Sequence, residues 1–598
     1  MDNIPLICVL HGLLLHLRPH LLHPLRVLWS ERIHLFWPIW ITTTSIASLL
    51  VILVLPKKNS IRPNSIPSTR HDWSHGAILA VTVLALLLAC YIVGSLVWED
   101  FTYYDNSHFT NGTLIGRNIT VQILPGYGRC FPFGHQEFNL IRHFTTSVVG
   151  YHALRIVQLV LLCGILLIFD EELSVQARVA LILLALITPS IVISFSGLIY
   201  PDWNVLFCWI CLLWSVKRFE QTQFRAWAVA AVISSQIMLY YKETAFLLLL
   251  GFACGRLLLR SWKGEQAGWN FSRLGDPESR LDIGLALLGV GFLLYYLVAM
   301  FPSYTMNYAK EFHLTLPVVL ADYLKLDLLV WIFTAAVLAR ILQILRHKAA
   351  PSLLWDGMAL AGIACFVGYL ILRMESGYFL APVDLIAILY LGHLARLSLR
   401  NMGLGIRLGA LALLTIVVLQ DFSLSAFRMY ERKNVIHAKA EMGRLIKAYY
   451  ESDRQDPKRL FFPFASPFHV MEFASYISYL GVPVEETPTS SVSGSSVLLV
   501  GKALPTDGRC GYRAFLCHPG SGPDAGDLVV LFPDDVARRD EWDSYLPESN
   551  SVLFSYNPYP SIPRWLLPYV SRLSVISPEF AHDQLPNRWL HAAVIGWK

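Results

Sequence analysis

The feature that most constrains the fold of this chain is a series of long apolar runs. A bilayer-spanning helix needs about 20 mostly apolar residues, because the hydrocarbon core is about 30 Å thick. Of the 598 residues, 55% are hydrophobic and 15% are charged, a low charged fraction for a soluble protein. We therefore predict a polytopic α-helical membrane protein with about 11–13 transmembrane helices. The candidate spans lie near residues 36–55, 75–97, 151–169, 177–195, 203–216, 226–241, 244–259, 281–301, 326–345, 352–372, 378–395 and 408–426.

The positive charges between these runs predict how the chain lies in the membrane. Lys and Arg are enriched in short cytoplasmic loops. One set of alternate loops, around residues 57–70, 217–225, 260–280, 346–348 and 396–407, carries most of these cations. The opposite short loops contain only Lys242, Lys310, Lys325 and Arg373. We therefore place the first set in the cytoplasm, which puts the 98–150 loop and everything after 426 on the extracytoplasmic side.

This topology divides the chain into three parts. Residues 1–74 form an N-terminal extension with one or two hydrophobic segments, and residues 75–426 form the main transmembrane domain. Residues 427–598 read as a soluble extracytoplasmic α/β domain, with an amphipathic helix at 431–452 and strands at 459–462, 496–500 and 527–532. We interpret this domain as a structural lid. A disulfide between Cys510 and Cys517 stays open, because it depends on the compartment.

Acidic residues follow the 75–97 run directly. Glu99, Asp100 and Asp105 lie among aromatic residues where this helix leaves the bilayer. A partly desolvated carboxylate can act as a general base, and carboxylates can also hold a divalent cation. The alternative is a solvated helix end with an aromatic belt.

The same loop later places polar groups among aromatic residues. Arg129, His135, Gln136 and Glu137 precede the next span, with Tyr127 and several Phe residues around them. Planar polar and aromatic side chains suit sugar rings, which offer apolar faces and hydroxyl groups. The alternative is that the loop simply packs on the membrane domain.

Two cations lie at the outer ends of later spans. Lys242 follows Tyr241 between two apolar runs, where a charge is costly and points to function. It can bind a phosphate, pair with Glu243 or extend to the interface. Arg373 precedes Tyr378 in an outer turn, and its guanidinium suits phosphate unless it pairs with Glu375.

A further acid, Asp202, lies at the same predicted outer face. It follows Tyr200 and Pro201 at the start of an apolar run. We read it as the N-cap of the helix that follows.

Together these motifs resemble the GT-C class of integral membrane glycosyltransferases, a class that includes protein O-mannosyltransferases and the aminoarabinose transferase of lipid A. The resemblance covers roughly residues 75–426. It rests on an acidic helix end, a long first outer loop, many spans and a soluble tail. The segment 241–245 is similar to a Lys-Gly-Pro step with Glu and Thr in place of Gly and Pro. The segment 373–382 is similar to an expanded Arg-Tyr-Leu-Leu-Pro turn.

The resemblance implies an inverting transfer of a hexosyl or pentosyl group from a polyprenyl-phosphate donor to a glycan, lipid or protein acceptor. Asp100 would be the base, with Glu99 and Asp105 as rivals, and Lys242 and Arg373 would bind the phosphate. The class implies no certain cofactor, although Mg²⁺, Mn²⁺ or Ca²⁺ is compatible with the carboxylates. The expected location is a bacterial inner membrane, with the C-terminal domain in the periplasm or outside.

Two other classes of protein fit the same spans. A transporter or flippase is one, although we find no convincing internal repeat. A polysaccharide polymerase or ligase that uses a diphosphate-linked glycan is the other. We expect membrane lipid around the chain and no nucleic-acid partner, because the sequence shows no basic stripe.

Overall fold

The computed structural model describes most of the membrane helices and part of the C-terminal region. The described residues are 81–84, 99–101, 106–124, 129–198, 200–262, 272, 275–276, 279–300, 315–373, 377–398, 403–452, 458–463, 467–485, 496–500, 523, 525–532, 551–556 and 592–596. The predicted span at 36–55, most of the span at 75–97, Asp105, Glu375 and the Cys510–Cys517 pair lie outside these residues.

The first outer loop folds into short elements that lie against the helices. They are α1 (Asn106–Leu114), β1 (Gln122–Leu124), β2 (Arg129–Phe131) and α2 (Gln136–Ile141), and the two strands are antiparallel. Phe109, Ile119 and Phe138 from this loop are buried together with Tyr151 and Leu198. This small apolar cluster fixes the loop on the ends of the helices that are predicted to face the extracytoplasmic side.

A bundle of helices follows. In chain order these are α3 (Val149–Phe169), α4 (Val175–Ile187), α5 (Pro189–Ser196), α6 (Asp202–Thr222), α7 (Arg225–Tyr241), α8 (Ala245–Ser261), α9 (Arg280–Ala299), α10 (Leu316–Leu326), α11 (Leu328–Leu345), α12 (Leu353–Leu372), α13 (Ala381–Ser398) and α14 (Leu404–Ser452). A 3₁₀ turn, Gly377–Leu380, connects α12 to α13. Six described helices are long and apolar enough to cross a membrane, or seven if α4 and α5 form one broken span. The chain is therefore a polytopic helical protein.

Helix α6 lies at the centre of this bundle. Trp203 and Trp209 are fully buried, as are most of its other side chains. A helix that is surrounded by protein can carry polar residues at its ends, because neighbouring helices rather than lipid satisfy them. This explains why the predicted run at 203–216 is short while the observed helix has 21 residues.

Helices α8 and α12 approach each other closely at glycine residues of α8. A Cβ atom added to Gly251 would lie 2.7 Å from the Cβ atom of Ala364 and 2.8 Å from the Cα atom of Ala361. A Cβ atom at Gly255 would lie 2.9 Å from Leu360. Small residues four apart allow two helix backbones to approach, as is common in membrane bundles. The contact fixes α8, whose first turn follows Lys242.

The prediction of one continuous span at 177–195 is wrong. Helices α4 and α5 meet at a 67° bend at Thr188. Pro189 is the first residue of α5, and proline has no N–H group to continue the ladder of α4. The Thr188 hydroxyl donates instead to the carbonyl of Leu184, 2.8 Å away.

Helix α14 joins the membrane region to the C-terminal region without a break. Its 49 residues extend over about 74 Å at about 1.5 Å per residue. Apolar side chains between Leu404 and Phe422 are exposed, as expected against lipid, whereas Val435, Met442 and Ile446 are buried in the C-terminal core. The sequence predicted a span and a separate amphipathic helix, but the structure has one continuous helix through residue 427.

A six-stranded sheet forms the rest of the described C-terminal region. Its strands are β3 (Lys458–Phe462), β4 (Val484–Glu485), β5 (Ser496–Val500), β6 (Leu528–Leu531), β7 (Ser551–Tyr556) and β8 (Ala592–Gly596), in the order β4-β5-β3-β6-β8-β7. The central strands β3 and β6 are parallel and the other pairs are antiparallel. Helix α15 (Pro467–Tyr479) and the end of α14 share an apolar core with this sheet. The three predicted strands are confirmed.

Candidate functional site

Lys242 lies in the short connection between α7 and α8. Its ammonium group forms an ion pair with the carboxylate of Asp202, the first residue of α6. The two side chains are 2% and 1% exposed. The second carboxylate oxygen of Asp202 has no hydrogen-bond partner among the described residues. The expected N-cap role of Asp202 is wrong, because Pro201 occupies the cap position and the Asp202 side chain turns to Lys242.

The 3₁₀ turn covers Lys242 with aromatic rings. The Nζ atom lies 4.2 Å from the centre of the Phe379 ring and 5.3 Å from that of Tyr378. A cation over an aromatic face is stabilised by the ring quadrupole. The Tyr378 ring in turn packs on Tyr200, with 4.1 Å between centroids. Two motifs that are far apart in sequence, 241–243 and 377–380, therefore meet at one cation.

Arg373 ends α12 in a left-handed backbone conformation, with φ 52°. Its side chain is exposed, unlike that of Lys242. The alternative salt bridge with Glu375 cannot be followed, because Glu375 lies outside the described residues. The structure brings Tyr378 to Lys242 and leaves Arg373 at the surface of the same turn.

The hairpin loop closes over the same connection from the other side. Arg129 forms an ion pair with Glu243 at 2.8 Å. The backbone N–H of Phe133 donates to the carbonyl of Tyr240 at 3.1 Å, and the Phe133 ring packs against Tyr241 with 6.1 Å between centroids. Glu243 therefore pairs with Arg129, and the alternative pairing with Lys242 is wrong.

A polar network that the sequence interpretation missed lies beside this connection. Arg155 of α3 is 3% exposed and pairs with Glu137 at 3.2 Å. The same oxygen of Glu137 accepts a hydrogen bond from Asn204 at 3.0 Å. Gln158 also donates to Asn204, at 3.1 Å. A charged residue within an apolar run is the signal that could have identified Arg155.

His135 is buried among aromatic rings. Its ring lies 4.6 Å from that of Phe109 and 5.8 Å from that of Phe138, and its backbone φ is 62°. Burial, with Arg155 and Arg129 nearby, lowers the pKa of His135 to about 3. The imidazole is therefore neutral at physiological pH, and its packing agrees with the alternative that the loop rests on the membrane domain.

Glu99 and Asp100 contact the C-terminal half rather than Lys242. Glu99 pairs with His437 at 2.9 Å and with Arg444, both on α14. Burial raises the pKa of Glu99, but the hydrogen bonds from His437 and Arg444 outweigh it, so the net shift is downward. Asp100 is half-buried, and its backbone carbonyl accepts a hydrogen bond from Asn111 at 3.0 Å.

The two groups of predicted site residues remain separate in the contacts that the structure describes. Within the described ranges, no ion pair or hydrogen bond connects Glu99 or Asp100 to Lys242 or Arg373. Among the described residues, no group of three or more His, Cys, Asp or Glu side chains is arranged to hold a metal ion. The outer loop contacts both groups, because α1 packs on α15 while the hairpin packs on Tyr240 and Glu243.

Three more acids that the sequence interpretation passed over lie buried near the α4–α5 bend. Asp327, Asp384 and Asp421 are 7%, 0% and 1% exposed. Ser190 donates to Asp384, and Thr188 donates to Asp421 at 3.3 Å. The hydroxyl partners of Asp384 and Asp421 thus come from the two residues that flank Pro189, whereas Asp327 accepts a hydrogen bond from the N–H of Val330 at 3.0 Å.

Comparison with known proteins adds no relative. The chain matches no protein-family model, no curated protein and no solved structure.

Proposed function

We propose that this chain is an integral membrane glycosyltransferase, which moves a sugar from a polyprenyl-phosphate donor to a glycan, lipid or protein acceptor on the extracytoplasmic face. The observation that supports this most is the position of Lys242. The segment 377–380 covers this buried cation with two aromatic rings, and the segment 129–137 packs on the residues that flank it in the chain. Holding a charge there is costly, and a structural role alone would not require a lysine.

In this proposal Lys242 binds the donor phosphate. Its ammonium group has three N–H donors, and Asp202 occupies one side while the rings of Tyr378 and Phe379 cover another. The donor enters when the 3₁₀ turn moves away, and Arg373, at the end of α12, brings a second cation to the phosphate. Both cations then stabilise the negative charge that develops on the leaving phosphate.

The transfer step is a single displacement. The acceptor oxygen attacks the anomeric carbon, the bond from that carbon to the phosphate oxygen breaks, and the polyprenyl phosphate leaves with the electron pair. The acceptor proton passes to a carboxylate. Asp100 suits this role better than Glu99, because Glu99 is already held by His437 and Arg444, which lower its pKa and its basicity.

The test compares Asp100→Asn with the matched variant Glu99→Gln. Both are assayed in vesicles with a panel of polyprenyl-phosphate sugars and with extracted cell-envelope acceptors. We expect Asp100→Asn to lose about 100- to 10,000-fold in transfer rate, and Glu99→Gln to lose much less. Wild-type transfer by folded Asp100→Asn would rule out this base. Absence of transfer from every donor by the wild-type protein would overturn the proposed function.

A second candidate, a transporter, is favoured by one observation. A broken helix beside buried carboxylates is typical of ion-coupled transporters, and the α4–α5 bend lies against Asp384 and Asp421. The test is proton movement into sealed vesicles that contain the purified protein and a pH-sensitive dye. Flux that Asp421→Asn abolishes would favour the transporter, whereas the glycosyltransferase predicts no flux.

A further inference from the structure

A cavity opens at the opposite ends of the helices that hold Lys242. Its volume is about 470 Å³, and it lies where the ends of α6 and α8 meet the start of α9 and α12. Asp202 and Glu220 mark the two ends of α6, which are about 27 Å apart along the helix axis. The cavity is therefore separate from the candidate site, and its positive surroundings place it on the predicted cytoplasmic face.

Basic side chains line one part of this cavity. Arg256 and Arg260 are four residues apart on α8 and so share one face of that helix. Lys217, near the end of α6, adds a third cation. Arg256 is fully buried, and its Nη1 atom has no hydrogen-bond partner among the described residues. One buried N–H donor thus has no partner in the part of the chain that the structure describes.

Two acids hold the arginines in place. Asp282 accepts from the Nε atoms of Arg256 and Arg260 at 2.7 and 2.8 Å. Glu220 accepts from the Nη2 atoms of the same residues at 2.5 and 3.4 Å. The four charges of this clamp balance, and Lys217 adds a further cation, whose ammonium group donates to the carbonyl of Phe169 and lies near Asp170, Glu171 and Glu172. The clamp fixes the guanidinium groups, which lowers the entropy cost of binding an anion.

The remainder of the lining combines the neutral polar residues Gln221, Gln223 and Ser352 with apolar side chains. Leu281, Leu353, Leu354 and Trp355 contribute, together with Phe219. A cavity with cations on one side and apolar groups on the other suits a ligand that has a charged head and a hydrophobic body. Basic pockets between helices on the cytoplasmic side are suited to anionic lipid headgroups.

We propose that this cavity is a binding site for a phosphate group, held by Lys217, Arg256 and Arg260. The phosphate belongs to an anionic lipid headgroup or is free phosphate, and these two sources share the same recognition chemistry. The site is independent of the proposed transfer reaction, because it uses none of the residues around Lys242.

The test uses full-length protein in nanodiscs of phosphatidylcholine alone, with added phosphatidylglycerol, or with added inorganic phosphate. The melting temperature and the lipids retained in native mass spectrometry are measured for wild type, Lys217→Gln and the control Lys348→Gln. Lys348 is exposed on the same predicted face and does not line the cavity. Lys217→Gln leaves the clamp of Arg256 and Arg260 intact, so it is expected to fold.

We expect Lys217→Gln to weaken binding about fivefold while Lys348→Gln binds as wild type does. Stabilisation by phosphatidylglycerol that depends on Lys217 identifies the lipid headgroup as the source. Stabilisation by inorganic phosphate with the same dependence identifies free phosphate. If neither stabilises the wild type, or if Lys217→Gln responds as wild type does, the site is overturned.

Discussion

The buried pair of Lys242 and Asp202 offers the sharpest test of how this structure is held together. Both side chains are almost fully buried, so removal of one partner leaves an uncompensated charge in a medium of low dielectric constant. Such a loss costs about 3–5 kcal/mol. Lys242→Met is expected at the upper end, because it also removes the contacts with Tyr378 and Phe379. Asp202→Asn is expected to lose stability near the lower end of this range, because Lys242 keeps its contacts with the rings of Tyr378 and Phe379.

The double variant Asp202→Asn/Lys242→Met distinguishes the energy of the ion pair itself from that of the other contacts made by the two side chains. A buried ion pair that is replaced by uncharged groups of similar volume costs little, so we expect a free energy of unfolding within about 1 kcal/mol of wild type. The coupling energy between the two sites would then be about 5 kcal/mol or more. Reversible unfolding in mixed detergent micelles measures all four proteins. Additive losses in the double variant would refute the buried pair.

The same double variant distinguishes a structural role of Lys242 from a role in binding. A protein that is folded but lacks the cation should bind undecaprenyl phosphate much more weakly than wild type, if Lys242 holds the donor phosphate. Unchanged binding of this probe by the stable double variant would assign Lys242 to structure alone. The comparison is independent of which sugar or acceptor the proposed reaction uses.

Three further outcomes follow from the packing. Because the pKa of Glu99 is lowered in the fold, its ion pairs should stabilise the fold fully above the ordinary pKa of 4.5 and lose that effect as pH falls below it. Hydrogen exchange around 99–101 should show this loss, and Arg444→Gln should weaken the pH dependence without removing it, because His437 still pairs with Glu99. Gly251→Leu should destabilise the protein by about 1–3 kcal/mol in thermal unfolding, because Ala364 occupies the space. One alanine inserted after Ala426 should rotate the second half of α14 by about 100° and abolish cross-linking between cysteines at positions 99 and 444.

The general architecture was accessible from the sequence because it follows from local patterns. A long run of apolar residues predicts a helix anywhere in the chain. Most predicted spans after residue 150 begin and end within a few residues of observed helices. The three predicted strands are equally local, since alternating and β-branched residues between turn signals favour extended structure. The convergence of Lys242 with the segment 377–380 could also be predicted in part, because the charge pattern predicts that both lie on one face of the membrane.

The partners of the buried charged residues could not be predicted from the sequence. Lys242 pairs with Asp202 across 40 residues, although Glu243 is its neighbour in sequence. Proximity in sequence favoured the wrong pair, because the helical cap turns adjacent side chains in different directions. Arg155 was hidden for a similar reason, since a single charge inside a long apolar run changes the hydropathy of that run very little. Only the packed arrangement of α3, α6 and the outer loop shows what these charges contact.

The separation of the acids from Lys242 has a mechanical consequence. Glu99 is tied to α14 through His437 and Arg444, so the position of the neighbouring Asp100 depends on where the second half of that helix lies. The first half of α14 is fixed among the membrane helices by contacts such as that of Ser425 with the carbonyl of Ile187. One uninterrupted helix therefore sets the distance between the two groups. If Asp100 is the base of the proposed transfer, the docking of the C-terminal region on Glu99 determines where that base meets the donor.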